Sequence, residues 1–177
     1  QAEAEGLIMD RRQRLVQAPP AQVFAEAKRI GGANGWLYAN PLWKLRGLLD
    51  QLVGGPGLQR GRRQQDNIRE GEALDFWRVE TIEPGRLLRL RAEMKLPGRA
   101  WLEFLVEPDE AAPTGSSQTR LTQTAYYEPK GLLGLAYWYS LVPIHPSIFK
   151  GMLGQLARRA EQAYRGSGAT AGEPELA

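Results

Sequence analysis

A chain of 177 residues, 42% hydrophobic and 24% charged, fits one compact domain able to bury a sizeable core. Its formal charge of +3 comes from scattered arginines, with one cluster at Arg60, Arg62 and Arg63. No dense basic stripe interleaved with aromatics is present, which argues against a nucleic-acid partner and makes the cluster a solvated strand end rather than a phosphate site. Cysteine is absent and His145 is the single histidine, so disulfides, thiol chemistry and a multi-histidine metal site are excluded.

Residues 1–8 read as a linker, which fits a domain cut from a longer protein or a processed N-terminus, the first being favoured, and no signal peptide is visible there. The absence of cysteine allows a reducing compartment, and we expect a cytoplasmic location. Met9 to Val16 is predicted as an arginine-rich strand near a sheet edge. Pro19 and Pro20 open a helix in which Val23, Phe24, Ala27 and Ile30 recur at helical spacing, and Gly31-Gly32 stops it. Asn40 and Pro41 are a cap and first-turn residue for a second helix with Leu42, Leu45, Leu49 and Leu52 on one face. Gly54-Gly55-Pro56-Gly57 ends it.

From Leu58 the pattern changes to strands. Leu58 to Arg63 is a weak candidate and Ala73 to Glu83 a stronger one. Leu88, Leu90, Ala92 and Met94 alternate with Arg89, Arg91, Glu93 and Lys95, the mark of a strand with one buried and one wet face. Arg99 to Glu107 and Gln118 to Glu128 follow, and the short turns between them imply an antiparallel meander. Gly131 to Ile144 is the most hydrophobic stretch, too short to span a membrane and stopped by Pro143 and Pro146. A helix buried in the fold is the expected reading, with peripheral membrane contact as its alternative. Finally, Phe149, Met152, Leu153, Leu156, Ala160 and Tyr164 share one face of a long helix from Pro146 to Tyr164. At about 1.5 Å per residue it is roughly 28 Å long, enough to cross five or six strands. The domain therefore runs over 9–165, and 166–177 reads as a disordered tail.

A strand, two helices, an antiparallel meander and a long C-terminal helix make an α+β chain. This order resembles the START-like helix-grip superfamily (SRPBCC), which includes polyketide cyclases, pollen-allergen-type proteins and lipid-transfer domains. Val16-Gln17-Ala18-Pro19-Pro20-Ala21-Gln22-Val23-Phe24, Glu70-Gly71-Glu72 and Thr119-Arg120-Leu121-Thr122 carry the resemblance. The segments 34–40, 75–80 and 94–102 further resemble a bacterial domain-of-unknown-function family whose members often follow an NAD(P)-binding domain of the atypical short-chain-dehydrogenase type. The resemblance implies a curved sheet wrapped around the last helix, a cavity for an apolar ligand, and an N-terminal NAD(P)-binding partner domain. An oxidoreductase or epimerase-like activity would then belong to the full-length protein. It supplies no catalytic residues to transfer.

The residues themselves offer no cofactor site in this domain. Both glycine clusters end helices, whereas a dinucleotide fingerprint joins a strand to a helix. His145, at a helix junction, reads as a cap for backbone groups, with a general base as the sharper alternative. Asp75 and Glu103 are a candidate acid/base pair, though nearby arginines favour surface ion pairs. The many tyrosines and tryptophans suit a cavity that orients a ligand, while packing accounts for most of them. By strand parity the cavity candidates are Trp77, Leu90, Met94, Phe104 and Tyr127, closed over by Trp138 and Met152. Asp75, Tyr126 and His145 are the possible polar groups. Three functions stand in order: a module binding an apolar or aromatic small molecule, a cyclase-type enzyme using a pocket acid or base such as Asp75 or Tyr127, and a structural domain for dimerisation or docking.

Overall fold

The computed structural model describes residues 7–31, 68–93, 95–113 and 117–170. The expected second helix at 40–52, the strand at 58–63, the arginine cluster, Trp36, Tyr38, Trp43 and Met94 lie outside them. In chain order the elements are β1 (Ile8–Val16), α1 (Pro20–Lys28), β2 (Ala73–Leu74), β3 (Trp77–Glu83), β4 (Leu87–Ala92), β5 (Gly98–Pro108), β6 (Thr119–Pro129), α2 (Gly131–Leu141) and α3 (His145–Thr170). The strands form one antiparallel six-stranded sheet in the order β1-β6-β5-β4-β3-β2. The α+β class and the meander follow the sequence pattern, and β1 stands at an edge as its arginines suggest.

Helix α1 starts where Pro19 supplies a carbonyl to the amides of Gln22 and Val23 at 3.0 and 3.2 Å, and Pro20 has no amide to orphan. It lays Val23, Phe24 and Ala27 on β4, β5 and β6. Helix α3 packs chiefly on α1 and β1. Its apolar stripe is Met152, Leu153, Leu156, Ala157 and Ala160, all buried. Leu88, Leu90, Phe104 and Leu121 meet these helices from the sheet and are fully buried.

Three expectations are corrected. Ala73 to Glu83 is not one strand: Leu74 pairs with Trp77, so the chain reverses at Asp75-Phe76. Asp75 adopts a positive φ of 55°, which a short polar side chain tolerates, and its place in an apolar run hides the turn. The last helix continues through residues 166–170, beyond Tyr164; Ser167 Oγ donates to the Tyr164 carbonyl at 2.8 Å within that extension. Most consequentially, α2 is not buried. Leu132 is 84% and Leu133 78% exposed, and only Gly134 of the helix is buried. Hydrophobicity alone does not place a segment inside the fold when it is apolar on all sides and names no face. No helix among the described residues is long and apolar enough to cross a membrane.

Candidate functional site

Strand parity and register define the sheet's inner face, the one turned toward α1 and α3. On it the cross-strand neighbours run in rows: Ile82, Leu88, Phe104, Gln123 and Arg12, and beside them Val79, Leu90, Leu102, Ala125 and Asp10. A further step brings Trp77 against Ala92 and Tyr127 between Ala100 and Ile8. Trp77, Leu90, Phe104, Tyr127 and Met152 are all buried in this layer, at 6, 0, 0, 2 and 0% exposure. Of the cavity candidates, the structure brings these together and adds Trp138 from α2.

Burial is uneven along the face. Leu90 and Leu102 are sealed, yet Ala92 and Ala100, each one pleat further on the same strands, are partly exposed, as is Leu96. Solvent therefore reaches the small side chains of this row, which also carries Trp77 and Tyr127. Tyr127 is fixed there from two directions. Its hydroxyl donates to the Pro97 carbonyl at 3.0 Å, and its ring stacks on Trp138 with centroids 5.4 Å apart and an interplanar angle of 11°. Trp138 in turn meets His145 edge-on at 5.1 Å, and His145 lies 5.1 Å from Phe149. Pro143 and Pro146 end one helix and begin the next around His145, so its ring joins α2 to α3 within an aromatic chain.

The proposed acid/base pair is not assembled. Asp75 occupies the β2–β3 turn, while Glu103 points to the outer face with two strands between them. There Glu103 accepts from Arg89 Nε at 2.8 Å and from the Tyr126 hydroxyl at 3.3 Å. Tyr126 is thus removed from the pocket candidates. Adjacent residues of a strand point to opposite faces, so Tyr126 and Tyr127 cannot both face inward. Burial, followed by the neighbouring Glu103 charge, pushes the Tyr126 hydroxyl above its ordinary value. The outer face continues as an ion-pair ladder: Arg78 holds Glu93, and Arg99 grips Glu128 through two bonds of 2.7 and 2.9 Å that lower the Glu128 carboxyl. Solvent screens such pairs, and they serve solubility and register more than chemistry.

What strand parity alone misses is the polar end of the inner face. Asp10, Arg12 and Arg14 alternate in phase with the buried Val16, and Gln123 in phase with Leu121 and Tyr127. Reading β1 outward as a basic edge obscured that its even-numbered residues face the helix. The buried Val16 was the available signal. Among the described residues no group of three or more acidic, histidine or cysteine side chains could hold a metal ion.

One antiparallel sheet with a long C-terminal helix packed on its inner side and on α1 defines the helix-grip class of fold. Residues 5–152 match the model of a family described as "Protein of unknown function (DUF2867)", and the chain belongs to that family. Among solved structures it is similar to the Zhui aromatase/cyclase of Streptomyces sp. R1128, with 13% identity and a TM-score of 0.50 over 92% of this chain and 98% of that one. A truncated norcoclaurine synthase of Thalictrum flavum is similar at 14% identity and a TM-score of 0.47, over 89% and 92%. The protein CV1439 of Chromobacterium violaceum is similar at 17% identity and a TM-score of 0.43, over 86% and 97%. No curated protein sequence matches. At these identities the likeness is one of fold alone.

Proposed function

We propose that this domain captures an apolar, ring-bearing small molecule on the inner face of its sheet, at the end that carries Trp77 and Tyr127. The observation that carries this reading is the partial exposure of Ala92 and Ala100 on the face where Leu90 and Leu102 are sealed. A fully packed core would place large side chains there, since interiors fill to crystal-like density. Flat aromatic walls and a few polar groups are what a binding pocket offers a ring. Of the groups a cyclase-type activity would use, Asp75 lies in the β2–β3 turn, while Tyr127 stays on the inner face with its hydroxyl engaged by the Pro97 carbonyl; the binding reading is placed ahead of it.

Titration with the neutral fluorescent probe N-phenyl-1-naphthylamine tests the proposal. The parent chain is expected to bind the probe and enhance its emission. Ala100→Trp, which sets a large side chain on this partly exposed end of the inner face, is expected to weaken binding at least about tenfold while leaving the unfolding midpoint within the range of ordinary surface changes. No binding by the parent, or undiminished binding by Ala100→Trp, overturns the reading.

NAD(P) is assigned to an adjoining domain of the intact protein rather than to this chain. Gly31, with a φ of 83°, lies beyond the end of α1, not in a strand-to-helix turn whose amides converge on a pyrophosphate. Calorimetry with NADH and NADPH is expected to show no binding, and micromolar affinity for either overturns this assignment.

A further inference from the structure

Arg12 and Gln123 are direct cross-strand partners on the inner face, which sets their Cβ atoms about 5 Å apart. Gln123 is 1% exposed, and among the described residues nothing donates to its buried Oε1. The buried Nε of Arg12 likewise has no acceptor, although Nη2 of the same guanidinium is held by Asp10 Oδ2 at 2.9 Å. Arg14, two residues along the same face of β1, has its Nη1 3.5 Å from where a Cβ on Gly154 would stand, so α3 passes over this face of β1. Phe104 flanks Gln123 on the next strand, so the polar pair closes one end of an apolar wall.

A buried, unmet acceptor beside a buried, unmet donor costs stability, and native folds rarely keep such groups without a use. A hydrophobic pair here would pack against Phe104 at no such cost. Asp10 engages one terminal nitrogen of Arg12 and thereby orients the guanidinium while leaving Nε–H unused. One hydroxyl oxygen satisfies both groups together, donating its hydrogen to Gln123 Oε1 and accepting from Arg12 Nε–H. An alkane or an unsubstituted ring satisfies neither.

We infer that Arg12 and Gln123 form the polar anchor of the ligand site and select a molecule that carries a hydroxyl, alcoholic or phenolic, at the end of its apolar body. The inference rests on the capture reading above and deepens it by naming what the far end of the ligand must carry.

The test compares 2-naphthol with naphthalene by displacement of N-phenyl-1-naphthylamine. The two share one ring system and differ by a single hydroxyl, and water holds the naphthol back more strongly, so hydrophobic transfer alone favours naphthalene. The parent is expected to prefer 2-naphthol by about tenfold or more, the size of one charge-assisted hydrogen bond. Gln123→Leu is expected to abolish or reverse that preference while leaving the unfolding midpoint unchanged or higher, because it removes an unmet buried group. Arg12→Lys, which keeps the charge and deletes Nε–H, is expected to lower the preference as well. Equal binding of both probes by the parent overturns the anchor while the capture reading stands, and marks a gap filled by water. A preference that survives Gln123→Leu, or a lowered midpoint with the preference intact, also overturns the anchor. If N-phenyl-1-naphthylamine itself does not bind, the capture reading falls and the anchor with it; if it binds and neither 2-naphthol nor naphthalene displaces it, the anchor alone falls.

Discussion

Leu156→Ala is expected to lower the unfolding free energy by about 2–5 kcal/mol, the range for a buried leucine whose site cannot collapse onto the space it leaves. Leu156 is wholly buried on α3, in the stripe that also carries Leu153 and Ala160. Its neighbours come from several elements, so no single side chain can move to refill the void. Leu132→Ala provides the control. Leu132 is 84% exposed on α2 and makes few contacts to lose, so its removal is expected to change stability by no more than about 0.5 kcal/mol. Urea unfolding of both variants gives the comparison. A cheap Leu156→Ala would mean that α3 is not the helix the sheet grips, and a costly Leu132→Ala that α2 does not stand exposed.

These two leucines also show how far the sequence could be read. Both sit in strongly apolar stretches, and composition treats them alike. Leu156 belongs to a stripe repeating at three and four residues opposite Arg158, Arg159 and Gln162, and that periodicity placed it correctly. Leu132 belongs to a run apolar on all sides, whose pattern names no face, and the expectation of burial failed there. Alternation served the sheet in the same way. It put Leu88, Leu90, Phe104 and Tyr127 inside, and the same rule, applied to the adjacent Tyr126 paired with Trp101, excludes that residue from the pocket. At Asp75 the failure has another origin: a two-residue reversal within Ala-Leu-Asp-Phe-Trp uses no glycine or proline. The polar anchor went unread because charged residues on a strand are ordinarily the wet ones, and β1 inverts that rule on the face that matters.

Gly134→Ala is expected to destabilise the protein by up to about 2 kcal/mol and to loosen the ligand site. An alanine at this position gains roughly 1 kcal/mol in helix propensity over glycine. Against that stands overpacking, which costs about 1–3 kcal/mol in a tightly packed site. The added methyl would meet the Pro97 carbonyl oxygen and the Cα and Cβ of Pro129, the last two at 2.9 Å. Pro97 cannot yield easily, because its oxygen already accepts from the Lys130 amide at 2.9 Å and from the Tyr127 hydroxyl at 3.0 Å. The helix must lift instead, and lifting it draws Trp138 off the ring of Tyr127. Gly166→Ala makes the contrasting case. It lies in α3, where a new Cβ meets nothing within 4 Å, so the propensity gain is unopposed and the midpoint is expected to rise. Thermal unfolding should therefore move in opposite directions for the same chemical change. The Gly134 variant should also show altered tryptophan emission and weaker uptake of N-phenyl-1-naphthylamine. If both variants gain stability and probe binding is unaltered, α2 is not seated on Pro97 and Pro129 and plays no part in the ligand site.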